Sequence, residues 1–321
     1  MTQDILVLVE HLRGEVLDMS YTMLAAGRVL ARGTGGKVIG LLLGHNASGL
    51  AQNLNADEVH YFDHPGIQDF SPDAFLQVLG TVLADNLPRA LLLGHTSIGM
   101  DVASGLSARL DLPIVSQVRD VHEDGTFVSQ ICGGKIMAEG SLPTPTALAT
   151  VVPGGFKPDE GETDSPPEIV SLPVPDLGDL KIKLREYLEP DTEDIDITNQ
   201  PILVAVGRGM QNEGDLELAE ELAAVLGGAV CASRPVIDQG WLPTSRLVGK
   251  SGKSVKPKLY LALGISGAPE HVESITNTDL IIAINTDPQA PIFNIAKYGA
   301  EIDMIDFLTS LTEQAQSVLA T

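Results

Sequence analysis

Leu259-Tyr260-Leu261-Ala262-Leu263-Gly264-Ile265-Ser266-Gly267-Ala268 reads as a strand followed by a tight polar turn. Five apolar residues run on without polar alternation, as they do in a strand buried on both faces. Such strands belong to parallel sheets covered by helices. The same unit recurs on either side. Residues 202–206 lead into Gly207-Arg208-Gly209, residues 229–232 into Ser233-Arg234, and residues 280–284 into Asn285-Thr286-Asp287-Pro288. Gly214 precedes an amphipathic helix at 215–226, which Gly227-Gly228 closes, and 307–319 has the pattern of a closing helix. Residues 199–321 are therefore expected to form a doubly wound α/β domain.

Residues 1–190 repeat the alternation. Apolar runs at 5–9, 38–43, 59–62, 90–93 and 113–118 are separated by helical patterns at 18–31, 72–83 and 100–110, which predicts a second Rossmann-like parallel sheet. Residues 126–131 and 135–139 flank Cys132-Gly133-Gly134 as a hairpin would, and 148–152 reads as a further strand. Residues 157–196 hold 13 acidic against 4 basic residues and 6 prolines. This acidic, proline-rich linker, about 157–198, is expected to be mostly solvated, with one half-exposed strand at 180–188.

Composition narrows the function. The 321 residues carry 20 basic against 43 acidic side chains, a net charge of −23, which argues against nucleic acid and anionic membranes as partners. The longest apolar runs, 259–265 and 280–284, fall far short of the ~18 residues that span a bilayer. Met-Thr-Gln-Asp leads straight into an apolar run, without a basic and apolar leader. Cys132 and Cys231 form no CxxC. A cytoplasmic protein is the expectation. His60 and His64 are four apart, but Asp63-His64-Pro65 reads as a turn, so no metal site is expected.

Ligands of open parallel sheets bind beyond the carboxyl ends of the strands. There the second domain carries Arg208, then Ser233 and Arg234, then Ser266–His271, then Asn285. Gly249 and Gly252 bracket Lys250 and Ser251 between the second and third strands. Glycines let backbone N–H groups approach a phosphate, a following helix adds its dipole, and arginines neutralise its oxygens. Asn285 and Asp303 are candidates for adenine or ribose contacts. A P-loop is excluded, because Thr244 stands where its leading glycine belongs; no G-x-S-x-G elbow occurs, and no G-x-G-x-x-G follows the first strand of either domain. Gly94–Gly99 in the first domain follows a strand but has no Arg or Lys beside it.

These residues resemble the electron transfer flavoprotein alpha subunit family. Ser233-Arg234-Pro235-Val236-Ile237-Asp238-Gln239-Gly240 is similar to its SR-x-x-x-D-x-G segment, and Val248-Gly249-Lys250-Ser251-Gly252-Lys253 with Pro257-x-Leu259-Tyr260 to its VGQTGK…P-x-LY segment. Gly264–His271 is similar to GISGA-x-x-H, and Ile284–Phe293 to IN-x-D-x-x-APIF. The order agrees throughout, densely over 207–303 and more weakly over 1–190.

The resemblance implies a heterodimer with a beta subunit and FAD in the C-terminal domain. It implies electrons passing from a flavoprotein dehydrogenase to an acceptor such as a quinone oxidoreductase, with AMP in beta. It names Arg208, Ser233, Arg234, Val248, Gly249, Lys250, Ser251, Ser266, Gly267, Ala268, Pro269, Glu270, His271, Asn285, Asp303 and Met304 as the FAD contacts. Arg234 would lie by the isoalloxazine, Ser251 near N5 and His271 near the pyrimidine carbonyl. A guanidinium, a hydroxyl and an imidazole there would stabilise negative charge on the flavin and raise its potential. No catalytic acid, base or nucleophile is implied, and the N-terminal domain would be an empty scaffold packing on beta.

Lys250 and Ser251 depart from the family's Gln and Thr. Ser251 keeps the hydroxyl. Lys250 adds a cation that faces either the ring or solvent and phosphate. Trp241 is either packing or a lid. The alternative within the family is an electron-bifurcating carrier using NADH, with a second FAD in beta. Outside it stand an NAD(P)-dependent enzyme, for which the expected glycine fingerprint is missing, and a colourless interaction module.

Overall fold

The computed structural model describes residues 2–132, 136–187 and 194–319. The chain divides into two compact units, Met1–Tyr187 and Leu188–Thr321.

The first unit contains β1 (Ile5–Val9), β2 (His11–Leu12), β3 (Glu15–Val16), α1 (Asp18–Thr34), β4 (Val38–Gly44), β5 (Glu58–Asp63), α2 (Pro72–Asp85), β6 (Ala90–Gly94), α3 (Ser97–Leu110), β7 (Ile114–Val121), β8 (Thr126–Ile131), β9 (Ile136–Ser141), β10 (Ala147–Val151) and β11 (Glu168–Leu172). Apart from the small β2–β3 hairpin, the strands form one sheet in the order β11-β5-β4-β1-β6-β10-β7-β8-β9. Pairing is parallel from β11 through β7 and antiparallel across β7-β8-β9. Side chains alternate across the sheet as the pleat requires. Ile5, Val7 and Val9 meet Met23, Leu24 and Leu30 of α1 on one face. Leu6, Leu8 and Leu43 meet Phe75 and Leu79 of α2 and Leu106 of α3 on the other.

Two linker expectations differ from the structure. Residues 180–187 form no strand, and Leu188 lies outside the described residues. Leu177 is buried, while the Ile182 carbonyl accepts from Ser71 and the Lys181 amide donates to Asp73. This stretch is strapped along α2 by separate contacts, which its alternating charges cannot distinguish from a strand. The strand forms earlier, at β11, where Glu168–Leu172 pairs with β5 and closes one sheet edge. Its exposed Glu168, Ile169 and Ser171 gave it no apolar signature. In the β8–β9 hairpin, Gly133, Gly134 and Lys135 lie outside the described residues.

The second unit contains β12 (Ile202–Val206), α4 (Leu216–Leu226), β13 (Ala229–Ala232), α5 (Arg234–Asp238), β14 (Leu259–Leu263), α6 (Pro269–Val272), β15 (Ile281–Asn285), β16 (Tyr298–Glu301) and α7 (Met304–Leu319). The sheet order is β13-β12-β14-β15-β16, all parallel. Val204, Val206 and Leu263 face α4 and α7, while Leu203, Ala205 and Tyr260 face Val255, Ile275 and Ile292. Strand β16 escaped sequence reading, because Tyr-Gly-Ala-Glu is short and exposed throughout. Helix α7 begins three residues before the apolar periodicity suggests, since Asp303 accepts the Ile305 N–H and starts it. In each unit the fold is the doubly wound α/β class.

Candidate functional site

Successive connections leave β12 and β14 in opposite directions, so the sheet of the second unit reverses between these neighbours. The loops after them meet backbone to backbone. The Gly207 N–H donates to the Leu263 carbonyl at 2.8 Å, and that of Gly209 to the Gly264 carbonyl at 3.1 Å. A Cβ on Gly207 would stand 2.3 Å from the Gly264 oxygen, and one on Gly264 2.7 Å from both the Gly209 Cα and the Met304 sulfur. Gly264 also has φ of +63°. Glycine is required here so that two loops can share the floor of one crevice.

Above that floor lies a cleft of about 670 Å³. All the sequence candidates except Gly267 and Pro269 line it: Arg208, Ser233, Arg234, Val248–Ser251, Ser266, Ala268, Glu270, His271, Asn285, Asp303 and Met304. Gly267 sits behind the wall, where a Cβ would meet the Ile292 backbone at 2.3 Å, and Pro269 opens α6. Gln211, Ile265, Ile284, Thr286, Asp287, Pro291 and Ile302 line it as well. Of these, Ile265, Ile284, Thr286, Asp287 and Pro291 stood in the quoted motifs; Gln211 and Ile302 carry no sequence signal of their own.

The cleft joins residues far apart in the chain. Arg234 donates Nε to Asp238 at 2.6 Å and Nη1 to the Ser251 hydroxyl at 3.2 Å. Ser251 accepts there, so its own O–H is left to donate onward. Asn285 donates to the Ile265 carbonyl and accepts from the Asp287 N–H, both at 2.9 Å. Its amide therefore holds two strand-end loops together while still lining the cleft. Trp241 is half-buried against the α4–α7 core, which is packing.

His271 lines the cleft as a mostly buried ring. It is 6% exposed, with Nε2 2.8 Å from the Tyr260 hydroxyl and Nδ1 3.0 Å from the Val248 carbonyl. Burial pulls its pKa down to about 4, so the imidazole is neutral with both nitrogens engaged. It brings no positive charge to the cleft. Burial raises the Glu273 carboxyl, which Lys250 opposes and Glu270 reinforces. The helix dipole expected after Gly267 is also small, because α6 is only four residues long.

The first unit shows the opposite solution at its own reversal point, between β1 and β6. Glu10, 1% exposed, fills it: its carboxylate accepts from the Gly94 N–H at 3.2 Å and from the Thr96 hydroxyl at 2.8 and 3.0 Å. Thr96 caps α3 by accepting from the Gly99 N–H. The space left beside Glu10 is about 10 Å³, too small for a nucleotide.

The donor set of the large cleft fits a dinucleotide. Three cationic side chains (Arg208, Arg234, Lys250) and four hydroxyls (Ser233, Ser251, Ser266, Thr286) suit a pyrophosphate and ring heteroatoms. Ile265, Ile284 and Met304 offer apolar surface to planar rings. The volume lies within the roughly 300–1,000 Å³ of ligand sites. Fold and site together define a dinucleotide-binding α/β protein.

Comparison with known proteins narrows this. Residues 196–276 match the electron transfer flavoprotein FAD-binding domain, and residues 5–177 the electron transfer flavoprotein domain. The chain is 34% identical over 320 residues to the electron transfer flavoprotein subunit alpha of Bacillus subtilis, covering 98% of each. It is 35% identical over 323 residues to protein FixB of Clostridium saccharobutylicum, covering 98% of this chain and 96% of that one. It is 33% identical over 349 residues to the acryloyl-CoA reductase electron transfer subunit beta of Anaerotignum propionicum, covering 97% and 95%. The chain belongs to the electron transfer flavoprotein alpha subunit family, an FAD-binding family of electron transport. Among the described residues, no helix is long and apolar enough to cross a membrane.

Proposed function

We propose that the second unit's cleft holds FAD and that the chain works as half of a heterodimer with an electron transfer flavoprotein beta subunit. It takes electrons from a flavoprotein dehydrogenase and delivers them to an acceptor such as a quinone oxidoreductase. The observation that carries this reading is the Arg234–Ser251 pair, two residues from separate loops joined at the edge of a large cleft at the sheet's reversal point.

FAD, when bound, supplies electron uptake and release one at a time. The chain supplies the surroundings. Arg234, held by Asp238 and Ser251, places a fixed positive charge against any negative charge that develops in the cleft. Ser251 offers an O–H donor beside it. Arg208 and Lys250, which line the cleft, add cations suited to anionic oxygens. The apolar wall of Ile265, Ile284 and Met304 excludes water from ring faces.

The absorbance spectrum of the chain co-purified with its beta partner tests this. A yellow complex with FAD released on denaturation is expected, and a colourless complex that takes up no added FAD overturns it. Relatives with different electron-transfer names match equally well, so the bifurcating alternative is tested in the same sample. One FAD per heterodimer fits the simple carrier; two FAD, with reduction by NADH, fit the alternative.

A further inference from the structure

Tyr260 is an uncommon choice inside β14. Its neighbours are aliphatic, and its side chain is 0% exposed. A buried phenol must find a partner. Here it finds His271 Nε2 at 2.8 Å, while Nδ1 of the same ring lies 3.0 Å from the Val248 carbonyl. A carbonyl only accepts, so Nδ1 carries the proton. A neutral imidazole has one N–H, so Nε2 is the lone pair and the Tyr260 O–H donates to it. Cys231, fully buried on β13, packs in the same cluster as Tyr260. Hydrogen bonds then run one way, from Tyr260 through His271 to Val248.

We propose that Tyr260 is a positioning residue for the cleft: its hydroxyl locks His271 in the Nδ1–H tautomer and one ring orientation, and His271 thereby holds the Gly249–Ser251 turn. The turn has two ties to α6. One is the His271 bond to the Val248 carbonyl; the other is the Lys250 N–H donated to the Glu270 carbonyl at 2.8 Å. Turning the imidazole over would put carbon against both of its partners and release the first tie. Ser251, which receives Arg234 Nη1, lies three residues beyond Val248. The effect on cofactor binding rests on the reading of this cleft as the FAD site; the tautomer does not.

Long-range proton–nitrogen NMR of the full-length chain, with nitrogen-15 in its histidines, reads the tautomer directly. The His271 signals are assigned by their loss in His271→Gln. The wild type is expected to show Nδ1–H with a hydrogen-bonded Nε2, with and without FAD. Tyr260→Phe is expected to remove that Nε2 signature and to weaken FAD binding roughly fivefold, the factor one net hydrogen bond carries. Cys231→Ala keeps the phenol and is expected to keep the tautomer. An Nε2–H tautomer in the wild type overturns the proposal. So does a Tyr260→Phe spectrum identical to wild type, or a changed tautomer with FAD affinity unchanged. If Tyr260→Phe does not fold, the wild-type and Cys231→Ala spectra decide. Wild-type chain that binds no FAD refutes the functional reading instead, and the FAD-free spectrum still judges the tautomer.

Discussion

Replacing Glu10 with Gln should abolish a pH dependence built into the first unit. Burial lifts the Glu10 carboxyl from its ordinary 4.5 to about 7, against the lowering effect of the Thr96 and Gly94 hydrogen bonds. The folded state therefore binds this proton more tightly than the unfolded chain does. Stability from the group is fully present below about pH 4.5 and is lost as pH rises through about 7. At 1.36 kcal/mol per pH unit, the difference across that window is about 3 kcal/mol. Gln keeps an acceptor for the Gly94 N–H and the Thr96 hydroxyl without the buried charge. At pH 8 Glu10→Gln should be more stable than wild type by up to about 3 kcal/mol, and at pH 4.5 the two should nearly coincide. The single tryptophan, Trp241, lies in the second unit, so its fluorescence would miss the effect. Amide exchange of α3 and β6 peptides, corrected for intrinsic rates, reads it. Equal pH dependence of α3 protection in wild type and Glu10→Gln would refute the reasoning.

Other substitutions probe the cleft. Ser251→Ala removes the acceptor of Arg234 Nη1, and Arg234→Ala the charge itself; FAD affinity measured by flavin fluorescence should fall about tenfold or more for Arg234→Ala and less for Ser251→Ala. Equal affinity in both variants would place the cofactor elsewhere. Lys250→Gln removes a cation from the cleft wall and should make the flavin potential more negative; an unchanged potential would show that Lys250 does not act on the ring. Gly264→Ala puts a methyl 2.7 Å from the Gly209 Cα and the Met304 sulfur at φ +63°, and should cost about 1–3 kcal/mol of second-unit stability. Trp241 fluorescence in urea would check it, and an unshifted midpoint would contradict the close-packed floor.

Buried parallel strands announce themselves, because a segment covered on both faces has no polar alternation to preserve. That is why β1, β4, β6, β12 and β14 were legible in the chain, along with the glycines and arginines behind them and, from those, the edge where a ligand binds. Segments stabilised by distant partners were not legible. Strand β11 exists because β5 offers an open edge, and β16 because β15 does; neither carries its own hydrophobic pattern. The same limit applies inside the site. The strand-end pattern and the family resemblance could place Arg234, Ser251 and His271 on one rim, but whether a histidine is a cation or a neutral, fully engaged ring depends on burial and on what stands within 3 Å of each nitrogen. Tyr260 and Val248 supply those partners from 11 and 23 positions away in the chain. Likewise Glu10 is one acid among many until the fold packs it against the start of α3. Local pattern decides which residues form strands and turns; charge state, tautomer and the filling of a crevice are set by neighbours that only folding assembles.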